Sequence, residues 1–354
     1  MNLLFSPSLW RQAVRDLPPG EKDLTASNDL TDGFRPAPWL PGRHLQTILP
    51  TLLPGPSVGA EPEARLVEVV PGSRIQILVS SPSGAPRGTL VLIHGLGGCA
   101  DSGYLRRTAR MALQRGWYAV RVNLRNCGGT EALAQTLYNA GQSEDAGRVL
   151  EEIEAAGLPR PFGVVGFSLG GNLALRYAGL AGAACRADAL VGINPPVDLE
   201  ACVRCLEEPR NTVYQAYFTW KLCRLLRRIR RTRSVPGPFP KARAIRSVRR
   251  FDTLYTAPDG GYSSAEEYYR HASAAPHLRS LGVPALIVSS RNDPLVPVEM
   301  FGENTCGKSG NLRLLLPARG GHVGYWQSGT PRFWAGKAAL DFLEQVTRSP
   351  GHSS

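Results

Sequence analysis

The chain has 354 residues, 43% of them hydrophobic, enough for one large α/β domain carrying an insertion or for two domains. Its formal net charge of +12 is local: between Arg210 and Phe251 there are many Lys and Arg and no Asp or Glu, and elsewhere the charges nearly balance. No recognised binding motif or interleaved aromatic platform accompanies that charge, so a nucleic-acid partner is not expected.

No run of about 18 apolar residues is present, which excludes a transmembrane helix by sequence. The first residues, MNLLFSPSLWRQAVRDLPPGEKD, lack the basic, apolar and cleavage regions of a signal peptide, so a cytoplasmic location is the default expectation. Seven scattered cysteines read as reduced thiols rather than a disulfide framework. Cys202 and Cys205 form a lone C-x-x-C without a second pair or a nearby His, a weak basis for a metal site.

Residues 1–60 form a Pro-rich, irregular arm. RLVEVV and RIQILVS flank the turn PGS and read as an antiparallel hairpin. TLVLIH, Thr89 to His94, is a continuous apolar run that stops at glycines, as suits a strand buried on both faces of a parallel sheet. A helix follows over Gly103 to Arg115, then YAVRVN (strand), SEDAGRVLEEIEAAG (helix), FGVVGF (strand), LGGNLALRYAGLAG (helix) and ALVGI (strand). PALIVSS, LRLLL and an amphipathic helix near Phe333 to Val346 close the domain, with a flexible tail at 348–354. This alternation predicts a mostly parallel, doubly wound sheet with helices on both faces, over residues 61–347. The alternation breaks between about 198 and 280, too long for an ordinary connection, and that segment reads as a helical cap inserted over the carboxyl edge of the sheet.

Four features converge on one chemistry. Gly166-Phe167-Ser168-Leu169-Gly170 fits G-x-S-x-G between a strand and a helix, the setting of a nucleophile held on a strained turn. His94-Gly95-Leu96-Gly97-Gly98 follows an earlier buried strand and can aim a backbone N–H at an oxyanion, so the amides of Leu96 and Leu169 are the expected oxyanion hole. A dinucleotide loop fits poorly, because GLGG lacks the G-x-G-x-x-G spacing. Asp293 in SSRNDPLVP follows a strand and can orient an imidazole; His322 in ARGGHVGYW follows the last strand. The order Ser168, Asp293, His322 is the one an α/β-hydrolase fold imposes. Such a site hydrolyses acyl compounds with no metal or organic cofactor. The elbow alone does not separate esters from thioesters, amides or lactones, and a non-catalytic binding protein on this fold stays open as a reading of another class.

In TWKLCRLLRRIRRTR, the residues Trp220, Leu222, Leu225, Leu226 and Ile229 are expected on one helical face, with Arg224, Arg227, Arg228 and Arg231 on the other. A packed cap helix with solvated arginines and an interfacial helix attracted to anionic lipid are the two readings. The sequence leaves the oligomeric state open.

The whole resembles an α/β-hydrolase and, more narrowly, the YheT-like esterases. FRPAPWLPGRHLQTILP is similar to that family's amino-terminal W-L-x-x-x-H-x-Q-T signature, VNLRNCGGTEALAQTLYNAGQSED to its R-x-x-x-G segment, and FDTLYTAPDGGYSSAEEYYRHAS to its cap segment with F-D and Y-Y pairs. The resemblance spans about Phe34 to Glu344 and implies Ser168 as nucleophile, Asp293 as acid and His322 as base. It implies a small-molecule acyl ester as the partner. Where many relatives have an asparagine before the Gly-His pair, this chain has PGRHLQT.

Overall fold

The computed structural model describes residues 33–40, 42–235, 237, 245–302 and 310–348. Residues 1–32 of the expected arm, part of the basic segment, Cys306 and the tail beyond Arg348 lie outside them.

Eight strands make one sheet: β1 (Glu63–Val70), β2 (Ser73–Ser80), β3 (Gly88–Ile93), β4 (Trp117–Asn123), β5 (Phe162–Phe167), β6 (Ala189–Ile193), β7 (Ala285–Val288) and β8 (Leu312–Leu315). Their spatial order is β1-β2-β4-β3-β5-β6-β7-β8. The hairpin β1–β2 and the pair β2–β4 are antiparallel, and every later pair is parallel. Strands β3, β5, β6 and β7, each flanked on both sides, are buried at every residue. That is why they read as unbroken apolar runs, whereas β1, at the edge, alternates exposed and buried over its second half.

Helices α2 (Gly103–Gln114) and α8 (Trp334–Arg348) pack together on one face, and α3 (Glu144–Ala155) and α4 (Leu169–Ala181) on the other. The buried pair Arg125–Asp145 joins the loop after β4 to the first turn of α3 through two bonds of 2.7 and 2.6 Å. This is the arginine of the R-x-x-x-G segment, and its work is to hold that loop.

The arm departs from expectation: Arg43–Leu52 is a helix, α1, in spite of Pro50 within it. Its Leu45, Ile48 and Leu49 recur at helical spacing and pack inward, and tertiary burial outweighs the proline's missing donor.

Between β6 and β7 the chain leaves the sheet and builds α5 (Leu199–Glu207), α6 (Thr212–Ile229) and α7 (Ala265–Ala272). A helical turn at Val248–Phe251 leads into a π-helical turn at Asp252–Thr256. The insertion has a neck: the Ala275 N–H donates to the Val197 carbonyl at 3.0 Å, and the Leu199 N–H to Ser273 Oγ at 3.0 Å. Asn172 of α4 grips the exit strand of that neck, donating to the Ala272 carbonyl (2.8 Å) and accepting from the Ala274 N–H (2.9 Å).

In α6, Leu222, Leu225, Leu226 and Ile229 are buried, but Trp220 is not: half of its surface is exposed, 50%, and Arg224 lies over its ring at 5.4 Å. The expected shared face is corrected here. Trp220 is two residues from Leu222, roughly 200° around the helix, and falls on the opposite stripe with Val213 and Tyr217.

Candidate active site

The turn between β5 and α4 sets Ser168 at φ 52°, ψ −121°, a region that costs a non-glycine residue roughly 1–3 kcal/mol. Small neighbours are obligatory there. A Cβ on Gly166 would sit 2.2 Å from the Gly170 carbonyl oxygen. The Ser168 N–H donates to the Ile193 carbonyl (2.8 Å), and the Ser168 carbonyl accepts from Gly171 and Asn172, so the strained turn is tied on both sides.

His322 lies in the loop after β8. Its Nε2 is 2.9 Å from Ser168 Oγ, and its Nδ1 is 2.8 Å from Asp293 Oδ2. The carboxylate only accepts, so Nδ1 carries the proton and the Nε2 lone pair accepts from the Ser168 hydroxyl. Asp293, in the loop after β7, is itself fixed: Oδ1 accepts from the Leu295 and Val296 amides (2.8 and 3.1 Å), and Oδ2 also accepts from Asn194 Nδ2 at 2.6 Å. The structure brings Ser168, Asp293 and His322 into one hydrogen-bonded series at the carboxyl ends of β5, β7 and β8.

Asn194 and the arm were not singled out as site residues by sequence reasoning. Asn194, just after β6 at φ 46°, also accepts from the Val323 N–H at 3.0 Å and so couples the acid to the histidine loop. Its signal is faint: a polar residue where an apolar strand ends. The arm supplies the other hold. Thr47 Oγ1 accepts from the His322 N–H at 2.9 Å. Gln46 pairs with both backbone groups of Trp326, donating at 2.9 Å and accepting at 2.8 Å. The contact is so close that a Cβ on Gly324 would fall 1.7 Å from the Gln46 carbonyl oxygen. The third motif residue, His44, bonds through Nδ1 to the Tyr214 hydroxyl of α6 at 3.0 Å. The H-x-Q-T signature therefore seats the loop that carries His322.

The glycine loop after β3 abuts the elbow, and a Cβ on Gly95 would lie 2.9 Å from the Ser168 Cβ. The Gly95 N–H donates to the Tyr104 hydroxyl (3.0 Å) and the Gly97 N–H to the Tyr138 hydroxyl (2.8 Å). The amide between them, that of Leu96, has no acceptor among the described residues, nor has the amide of Leu169 at the first turn of α4. Lys221 of α6 donates to the Gly97 carbonyl at 2.9 Å. Buried His94 fixes the loop's base: Leu124 N–H donates to its Nε2 (3.2 Å), so Nδ1–H donates to the Gly95 carbonyl (2.8 Å). Burial pushes His94 down to about 4, so it is neutral at physiological pH and orders the loop.

Ser168 and His322 open into a cleft of about 970 Å³, counted with the space open to solvent. Its walls are mostly apolar and come from the insertion, with Leu206, Phe218, Leu222 and Leu226 prominent. Cys202 also lines it; burial raises its thiol well above the usual range, and all six described cysteines are free. The arrangement can move a proton from the Ser168 hydroxyl to His322 while two amides meet a developing oxyanion.

A mostly parallel sheet with a strained elbow after β5 and a helical insertion after β6 defines the α/β-hydrolase class. A family model described as the alpha/beta hydrolase fold matches residues 88–328. The chain is 32% identical to the provisionally assigned esterase YheT of Escherichia coli, over 85% of this chain and 89% of that protein. It belongs to this family, within its YheT-like group. It is 26% identical to phospholipase ABHD3 of Homo sapiens over 86% of this chain and 76% of the relative, and 26% identical to a monoacylglycerol lipase of Saccharomyces cerevisiae over 73% and 59%. Among solved structures, the Pyrococcus furiosus esterase Pf2001 superposes with a TM-score of 0.56 at 14% identity, covering 83% of this chain and 97% of that one. That likeness bears on the fold.

Proposed function

We propose that the chain is a serine hydrolase that cleaves acyl esters through an acyl-enzyme. The observation that carries this reading is the series Asp293–His322–Ser168 with bonds of 2.8 and 2.9 Å beside the unpaired Leu96 and Leu169 amides. His322 takes the Ser168 proton as Oγ attacks the ester carbonyl, and the two amides receive the oxyanion, each worth about 3 kcal/mol in the transition state. His322 then protonates the leaving alcohol, and water repeats the sequence on the acyl-enzyme. Asp293 holds the imidazole tautomer and stabilises the imidazolium. The chemistry calls for no metal or organic cofactor.

Ester substrates, rather than amides or thioesters, fit the apolar cleft and the relatives named esterase, phospholipase and monoacylglycerol lipase. A fluorophosphonate probe tests the nucleophile, with p-nitrophenyl esters of increasing chain length as substrates. Wild type labels and turns over; Ser168→Ala does neither, losing about 10⁴-fold or more in kcat. An unlabelled wild type turns the assignment toward a non-catalytic binding protein, and equal labelling of Ser168→Ala removes Ser168 as the nucleophile.

We further infer that α6 meets an anionic lipid surface. Val213, Tyr217 and Trp220 are 61%, 40% and 50% exposed on one stripe of that helix, with Arg224 and Arg227 exposed on its later turns. An apolar stripe with an aromatic pair, continued by arginines, suits the boundary between headgroups and acyl chains. Among the described residues, no helix is long and apolar enough to cross a membrane.

A further inference from the structure

Two pairs in the cap segment, Phe251-Asp252 and Tyr268-Tyr269, have no part in the acyl-transfer step. They are separated in sequence and meet in space: the Tyr269 hydroxyl donates to Asp252 Oδ2 at 2.8 Å. All four line the same cleft as Ser168 and His322. We propose that this wall is a subsite for an organic cation, an ammonium or quaternary ammonium group carried by the ester substrate. In this form the inference rests on the reading of Ser168 as nucleophile and names the class of ester that the site selects.

The wall holds a buried carboxylate that no side-chain cation among the described residues pairs with directly. Asp252 is 6% exposed, and among the described residues no Lys, Arg or His forms an ion pair with it. Arg249, whose charge reaches it, is committed elsewhere, to Glu200 at 2.9 Å, Glu207 at 3.0 Å and Glu266 at 3.5 Å. Burial pushes Asp252 up to about 6, while Thr256 and Tyr269, by hydrogen bonding, and the Arg249 charge favour its ionised form. A buried carboxylate in the wall of an apolar cleft is costly unless a cation meets it. A hydroxyl would give one hydrogen bond and leave the charge standing; an ammonium compensates it. The surrounding rings point the same way. Tyr138, Phe251 and Tyr268 line the same cleft, Tyr269 already carries Arg249 over its ring at 5.5 Å, and aromatic rings near a carboxylate are a setting for quaternary ammonium ions. The backbone is also unusual at this point: the π-helical turn begins at Asp252, and such turns are frequent at functional sites.

The test compares two butyrate esters of one shape and different charge, butyrylcholine and 3,3-dimethylbutyl butyrate, on the whole protein. Wild type is expected to favour the choline ester by about tenfold or more in kcat/KM, and Asp252→Asn to bring the ratio near one whatever its absolute activity. Calorimetric titration with choline and with 3,3-dimethylbutan-1-ol reads the site without catalysis and without a variant. Choline is expected to bind wild type about tenfold tighter than the neutral alcohol. Equal binding of the two by wild type, a wild-type ester ratio at or below one, or an Asp252→Asn that keeps the preference overturns the subsite. Failure of the Ser168 reading shows differently, as absent fluorophosphonate labelling with selective choline binding intact.

Discussion

Three successive amides run through Gly95, Leu96 and Gly97, and phenol oxygens take the outer two. Tyr104 and Tyr138 thereby fix the two outer peptide units and leave the middle N–H without an acceptor among the described residues. Both phenols are neutral: burial raises Tyr104 to about 12 and Tyr138 well above its ordinary value. Tyr138→Phe keeps the ring and removes the acceptor, leaving the Gly97 N–H unpaired at a cost of about 1–3 kcal/mol. Tyr138 is a positioning residue, and the expected signature is a split: kcat for a neutral ester falls roughly 10- to 100-fold while KM changes little. A variant in which KM rises and kcat holds would assign Tyr138 to substrate binding instead.

At the scale of elements, the arm helix α1 and the loop after β8 act as one piece. Gln46 closes two backbone bonds on Trp326, and Thr47 holds the His322 amide. Gln46→Ala opens both Trp326 groups in a buried place, so thermal unfolding is expected to show a loss of about 1–3 kcal/mol, with kcat lowered because the imidazole loses its seat. Unchanged stability and kcat would sever the arm from the site. Much of this scale was legible in the residues. The central strands announced themselves because burial on both faces demands unbroken apolar runs, and the elbow because its glycines stand between a strand and a helix. Strand ends and chain order singled out Asp293 and His322, which the fold brings into hydrogen-bond contact with each other and with Ser168. The arm helix was hidden by Pro50, whose helix-breaking tendency is overridden by contacts remote in sequence. Asn194 was hidden because its partners lie 99 and 129 residues away. The place of Trp220, by contrast, was legible: two positions from Leu222 it lies roughly 200° around α6, so helix geometry alone puts it on another stripe.

At the scale of the molecule, the exposed stripe of α6 and the exposed Arg224 and Arg227 that continue it both belong to the insertion. Vesicles containing phosphatidylglycerol are expected to co-sediment the protein at low salt, less so at high salt, and least for the Tyr217→Asp, Trp220→Asp double variant. Absence of binding at low salt would remove the lipid surface from the account. The neck at Val197 and Ala275 carries a consequence of a different kind. Because its two ends are stitched to each other and to α4, the sheet experiences the whole insertion as a closed loop with fixed endpoints. Lengthening such a loop is cheap, about 0.6 kcal/mol for each doubling. A longer insertion can therefore add cleft wall at little entropic cost to the sheet, so long as the residues that share the sheet's apolar core, Leu222, Leu226 and Ile229 among them, keep their places.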